Sequence, residues 1–296
     1  MSLCVLNSKG DSCLPKKVIK DLEKKILPNN DDSNLPANII IDKIATKLKC
    51  NSSDSRSAKE ICIIEKLKVI NNDSTLKQVM NKALLTYFKP ITKSFDGNYW
   101  LNNTEIDSIQ YQFQTLFKGY YYSNIHMIDL VMFNPNNEHL MQHGDKIKSI
   151  KEINFINELK GENKQLTYNG ELKNYGIVVN TDNSSNSGKH WFSIFINFEA
   201  TPITIEYFNS SGYDIRNINF KKYFMNLADE ITREVRKAIF IQVTNIQHQG
   251  DSANCGLYST FYIYRRLCKT EYIFFAKNKI TDEKMEAFRK FLFRLK

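Results

Sequence analysis

Apolar residues recur at helical spacing through roughly the first ninety positions of this 296-residue chain and then lose that period, so a helical unit must precede something built differently. Val18, Ile19, Leu22 and Ile26 share one face of a helix opened by Pro15. Ile40, Ile41, Ile44 and Leu48 repeat the pattern, as do Ile61, Ile64, Leu67 and Ile70, and Ser74 is placed to cap a fourth helix running to about Tyr87. Polar stretches from Pro28 to Asn34 and from Asn51 to Ser57 read as the loops between them. At Lys89 to Asn98, KPITKSFDGN, Pro, Gly and Asp interrupt the period, which places a domain boundary there: a helical arm over 1–92 and a second domain over 93–296.

The second domain alternates. Helices are expected at about Thr104 to Lys118, Ile125 to Met132 and Ile147 to Leu159, and strands at Gly176 to Asn180, Trp191 to Phe198, Ile203 to Phe208 and Ile239 to Thr244. A helix near Phe220 to Lys237 precedes the last strand, another starts at Cys255, and Thr281 caps a terminal one. The fold class is therefore α+β with a small all-α N-terminal domain.

A hydrophobic content of 42% is ample for a core, while the longest apolar runs are too short to span a bilayer and the start MSLCVLNSKGDSC lacks the apolar centre of a signal peptide. A soluble protein that is not secreted and has no membrane partner is expected. The six cysteines include no C-x-x-C pair and none has a His at metal-ligand spacing, so neither a zinc site nor another cofactor is expected, and free thiols would suit a reducing compartment. Lys and Arg exceed Asp and Glu by 41 to 32, a formal charge of +9 that attracts polyanions in general. Much of that excess, including Lys16, Lys17, Lys20, Lys24 and Lys25, lies at helical spacing, which fits a solvated face or a weak nucleic-acid contact.

Four residues have the right order for thiol chemistry. Cys255 follows the loop GDSAN and opens the amphipathic run CGLYSTFYIYRRL, which puts its sulfur at a helix N-terminus, where dipole and free N–H groups favour a thiolate. Gly256 removes bulk where a carbonyl must approach. His190 immediately precedes the strand WFSIFINF and is placed to take the thiol proton. Asn209 ends the strand ITIEYF after a turn at Glu199 to Pro202, so a hairpin would bring it beside His190 as a neutral acceptor that fixes the tautomer. Gln249, six residues before Cys255, can donate to an oxyanion together with the Cys255 amide. Singly each has a bland explanation: a buried small residue, a structural histidine, a turn, a polar loop. The two tryptophans, Trp100 and Trp191, are ordinary core anchors or two flat rings bounding a slot for glycine.

His, then Asn, then Gln six before Cys-Gly, after an upstream W-L-N segment, resembles the adenovirus protease and SUMO protease clan of cysteine peptidases. Within it the chain is similar to the African swine fever virus type of polyprotein protease, through NTDNSSNSGKHW, IEYFNSSG, VTNIQHQGDSANCGLYSTFYIYRRL and KITDEKMEAFRKFLFRL, with a weaker echo in GDSCLPKKVIKDL. The resemblance is strong from about Tyr175 onward; the helical front matches mainly in layout. It implies a papain-like core in circularly permuted order, His190, Asn209 and Cys255 as a triad, Gln249 in the oxyanion hole, and a place for Asn180 in the cleft. It further implies cleavage after Gly-Gly in viral structural polyproteins during particle maturation, at assembly sites in the host cytoplasm and in the virion. Cellular SUMO proteases usually carry Asp where Asn209 and Asn103 stand, which disfavours a role on ubiquitin-like modifiers. That role, and a non-catalytic protein that binds nucleic acid or a virion scaffold, stay open as alternatives.

Overall fold

The structure is a computed structural model that describes residues 4–5, 12–28, 35–51, 53–70, 74–131, 153–162, 171–250 and 253–295. It divides into two compact units, Met1–Ile91 with Phe291–Lys296, and Thr92–Lys290.

The first unit packs α1 (Lys16–Ile26), α2 (Ala37–Lys47), α3 (Arg56–Ile70) and α4 (Ser74–Tyr87) in chain order. Its core is the apolar stripe of the sequence: Ile19 and Leu22, then Ile40, Ile41 and Ile44, then Ile61, Ile64 and Leu67. Lys16, Lys17, Lys20, Lys24 and Lys25 are exposed, leaving the buried face of α1 to its aliphatics. Most of the loop from Pro28 to Asn34 lies outside the described residues.

The cysteines require a correction. Cys4 is bonded to Cys13 and Cys50 to Cys62, which leaves Cys255 and Cys268 as the free thiols. The argument from six free thiols to a reducing compartment does not stand. Sequence separations of 9 and 12 form no motif, because packing brings these pairs together. Cys4 bridges to Phe88 at the far end of the unit, and Glu60, fully buried, accepts from the Cys13 amide at 2.8 Å and the Ser12 hydroxyl at 2.6 Å.

After β1 (Ile91–Thr92), the second unit opens with α5 (Asn103–Leu116), whose N-terminus is fixed by a capping box between Asn102 and Glu105. Then follow β2 (Tyr120–Met127), a 3-10 turn at Ile128–Val131, α6 (Phe155–Lys160), β3 (Asn174–Asn180), β4 (Trp191–Asn197), β5 (Ile203–Phe208), α7 (Ile218–Glu234) and β6 (Ala238–Val243). The chain ends with α8 (Cys255–Leu267), α9 (Tyr272–Lys277), α10 (Asp282–Leu292) and β7 (Arg294–Leu295), the last paired with β1.

The main sheet runs β2-β3-β4-β5-β6, antiparallel at β3–β4 and β4–β5 and parallel at both edges. Tyr175, Ile177, Val179, Phe192, Ile194 and Ile196 point to one face, where they form a core with Phe220, Phe224 and Ile231 of α7. The other face meets α8: Glu206 of β5 accepts from Arg266 Nε and Nη2, both at 2.7 Å, and from the Tyr262 hydroxyl at 2.6 Å. Burial on both faces is why these strands read as continuous apolar runs.

Of the helix expected over Ile125 to Met132, position 132 lies outside the described residues, and 125–131 is not an α-helix. The strand β2 continues to Met127 in parallel pairing with β3, and the 3-10 turn follows. The apolar spacing fits either period in so short a run, and pairing along a buried strand prevails. Of the helix expected over Ile147 to Leu159, positions before 153 lie outside the described residues, and the described part is α6. The short helix α9 and the strand β2 carry no signal that periodicity had separated from their neighbours.

Candidate active site

Strand register builds one side of the site. Asn180 pairs with Trp191, Ser193 with Phe208, and Phe208 with Val243, so the ends of β3, β5 and β6 and the start of β4 share one edge of the sheet. His190, one residue before β4, therefore meets Asn209, one residue after β5: Nε2 lies 2.8 Å from Oδ1. An amide oxygen can only accept, so Nε2 carries the hydrogen and Nδ1 is the basic nitrogen. Asn209 is itself fixed, its Nδ2 donating to the Tyr207 hydroxyl at 2.9 Å and the Tyr213 carbonyl at 3.2 Å. Its Oδ1 also accepts from the Ser211 amide at 3.0 Å.

Asn180 is buried and shapes the approach to His190. Its Oδ1 accepts from the amides of Asp182 and Lys189, both at 3.0 Å, which folds the intervening loop around it. Gly188 holds φ +91°, and a Cβ there would stand 2.6 Å from Asn180 Nδ2, so this turn needs glycine twice over.

The thiol side is held from a distance. Cys255 is the first residue of α8, and its N-cap Asn254 receives Arg289 Nη2 at 2.9 Å, while the same nitrogen reaches the Tyr99 carbonyl at 2.7 Å. Ala253 donates to the Gly97 carbonyl at 3.2 Å, and Asp282 accepts from the Gly250 amide at 3.0 Å. Gly256 is closely packed: a Cβ would lie 3.2 Å from Ile106 Cδ1 and 3.4 Å from both Leu101 Cβ and Trp191 Cδ1.

Cys255 is 2% exposed, and burial pushes its thiol up even though the amides of Trp191, Gly256 and Cys255 itself pull it down. Burial likewise pushes His190 down, against the Asn209 hydrogen bond that favours its charged form. Both shifts oppose the charged thiolate and imidazolium, in contrast to the thiolate expected from the helix N-terminus alone. The Trp191 amide that serves the sulfur adjoins His190 in the chain, so the thiol lies beside the backbone that carries the imidazole.

Gln249 docks on Ser210, the residue after Asn209. The Ser210 carbonyl accepts the amides of His248 at 2.8 Å and Gln249 at 3.0 Å, and the Ser210 hydroxyl donates to Gln249 Oε1 at 2.8 Å. That bond fixes which arm of the amide is the NH2 donor. Trp191 is buried against Gly256, and Trp100 is 52% exposed, next to Leu101, which also bounds Gly256.

His126 and His248 are buried, and burial pushes each down to about 4. His248 accepts from the Ile280 amide and His126 bonds the Ser123 carbonyl, both within the fold. His139 and His143 lie outside the described residues. Among the described residues there is no group of His, Cys, Asp or Glu that could hold a metal ion, and no helix long and apolar enough to cross a membrane. Sequence reasoning did not find Ser210, Arg289 or Asp282, because their roles depend on contacts with residues far away in the chain.

A buried thiol opening a helix and packed on a sheet, with an imidazole at the strand ends oriented by an amide, is an arrangement suited to thiol chemistry. The chain belongs to the Ulp1 protease family, C-terminal catalytic domain, whose family model matches residues 99–296. It is 34% identical over 148 residues to a SUMO-1 cysteine protease of African swine fever virus, an alignment covering 49% of this chain and 54% of that protein. A cysteine protease of the Badajoz Vero-adapted strain of the same virus gives the same identity and coverage. The chain thus spans about half the length of the curated relatives it matches. A crystal structure of an African swine fever virus protease superposes with a TM-score of 0.69 at 26% identity, covering 100% of this chain and 96% of that one.

Proposed function

We propose that this chain is a thiol endopeptidase that cuts viral structural polyproteins after Gly-Gly during virion maturation, at assembly sites in the host cytoplasm and in the virion. The observation that carries the peptidase assignment is the 2.8 Å contact between His190 Nε2 and Asn209 Oδ1, which leaves Nδ1 as the basic nitrogen of a residue whose chain neighbour Trp191 gives its amide to the Cys255 sulfur. As Cys255 Sγ bonds to the scissile carbonyl carbon, its proton passes to His190 Nδ1 and the carbonyl π electrons move onto oxygen. The Cys255 amide and the Gln249 NH2 bind that oxyanion. Collapse of the intermediate breaks the C–N bond, and His190 returns the proton to the leaving amine; water then releases the acyl group by the same steps in reverse order.

In this reading Trp191 and Trp100 confine the two glycines, since Trp191 and the neighbour of Trp100 both close on Gly256. Asn180 acts as a positioning residue for the His190 loop. Similarity to African swine fever virus proteases supports a viral protease, and the polyprotein substrate follows from the resemblance of the sequence. A Gly-Gly-Xaa peptide should be cleaved by the wild type and left intact by Cys255→Ser; equal rates would sink the assignment.

The name of one relative, a SUMO-1 cysteine protease, favours a second reading in which a ubiquitin-like modifier ends in the glycine pair. A SUMO or ubiquitin probe with an electrophilic C-terminus separates the two. Labelling of Cys255 by that probe, with peptides uncut, would favour the modifier.

A further inference from the structure

A cavity of about 580 Å³ opens beside His190, entirely within the unit Thr92–Lys290. Its lining includes His190, Asn209 and Ser211, the buried Phe192 and Tyr207, and Tyr213, which is 59% exposed. The Arg216 guanidinium lies 5.0 Å over the Tyr213 ring. The volume falls within the range of about 300–1,000 Å³ typical of ligand sites.

Its position follows the chemistry of the leaving group. When the thioester forms at Cys255, the C–N bond breaks and His190 delivers its proton to the departing nitrogen, so that nitrogen must lie against His190. The released segment starts there and continues away from the sulfur, toward the His190 and Asn209 wall. An extended chain advances about 3.3–3.6 Å per residue, which puts the first two residues after the cut within reach of the cavity.

The lining decides what kind of side chain fits. Phe192, Tyr207, Ile128 and Ile215 are apolar or aromatic, Asn209 is engaged through both ends of its amide, and the two charged groups of the lining, Asp214, which accepts from the Thr244 hydroxyl, and Arg216, are exposed and not buried. A charged side chain would lose water there without a buried counter-charge. Resting on the peptidase reading above, we infer that this cavity is a subsite for the substrate segment C-terminal to the cleaved bond, and that it takes an apolar or aromatic side chain from one of the first two residues after the cut.

Two measurements test it. With wild-type protein, quenched-fluorescent peptides that differ only in carrying Phe or Gly at these two positions should differ in kcat/KM by about 10-fold or more in favour of Phe. Tyr213→Ala should bring that ratio close to one. A wild-type ratio near one, or a preference that survives Tyr213→Ala, overturns the inference. The second measurement needs no turnover: Cys255→Ser protein should bind Phe-Ala-Ala-amide about 10-fold more tightly than Gly-Ala-Ala-amide by NMR titration, with the difference lost in Tyr213→Ala/Cys255→Ser. Equal binding of the two peptides contradicts the subsite. The predicted binding difference, without cleavage of any peptide, would count against the peptidase reading and not against the pocket.

Discussion

The imidazole half of the site hangs on neighbouring strand ends, whereas the thiol half hangs on a loop pinned from the C-terminal helix. His190 and Asn209 are 19 residues apart, and the β4–β5 register brings both to the same end of the hairpin, where their side chains meet diagonally just past the last paired residues. Cys255 is held through Asn254 and Arg289, and Arg289 in turn grips the Tyr99 carbonyl 190 positions away. A sheet edge is rigid through its hydrogen-bond ladder, while a loop takes its geometry from whatever side chains reach it. The difference teaches that the orientation of His190 is secured locally, but the placement of Cys255 depends on the whole unit being folded.

One buried brace joins the halves. Glu206 on β5 and Arg266 on α8 form an ion pair with side chains 0% and 2% exposed. Arg266→Ala would strand the carboxylate and should lower unfolding free energy by about 3–5 kcal/mol in a urea titration. A loss below about 1 kcal/mol would mean that packing alone joins β5 to α8. Next in size, Gln249→Ala should cut kcat by roughly 10²–10³-fold with less effect on KM. A fall of less than about 10-fold would remove Gln249 from the oxyanion role.

Ser210→Ala probes the point where the halves touch, since its hydroxyl sets the Gln249 amide while its neighbour Asn209 sets His190. A lost hydrogen bond of about 0.5–1.5 kcal/mol predicts a decrease in kcat of about 2- to 13-fold, with KM unchanged. A proportional rise in KM instead would point to a role in binding substrate. The smallest effect is in the pH profile. Burial lowers His190 below its ordinary value of 6.5, so the base stays neutral below that pH and the acid limb of kcat/KM should lie under about 6.5. The Asn209 bond pulls the other way, favouring the charged ring, so Asn209→Ala should move the acid limb to still lower pH while reducing the rate. Movement toward higher pH would show that Asn209 does not act through His190.

These contrasts also mark what was legible in the sequence. The helices of the front unit could be read because a helix writes its buried face into i, i+3 and i+4 positions, as at Ile40, Ile41 and Ile44. His190 and Asn209 could be paired because two strands joined by a short turn bring the start of the first beside the end of the second. Cys255 was visible as the first residue of an amphipathic run. The disulfides, the Arg289 clamp and the Ser210 contact were not visible, since each joins residues whose spacing repeats no period. The strand β2 was misread because Ile125 to Met127 is too short for its apolar pattern to separate a strand from a helix without knowledge of β3. The sequence placed Cys255 at a helix N-terminus and from that suggested a thiolate, but only the structure reveals the burial that opposes it.

The central claim is that a buried cysteine is the nucleophile because His190 activates it, while an exposed one is not. A peptide ending in Gly-Gly with a vinyl ester electrophile, incubated with the intact protein and mapped by mass spectrometry, tests this directly. The account predicts a single adduct on Cys255, lost in His190→Ala, with the exposed thiol of Cys268 unmodified. Modification of Cys268 ahead of Cys255, or labelling of Cys255 that is indifferent to His190→Ala, would contradict it.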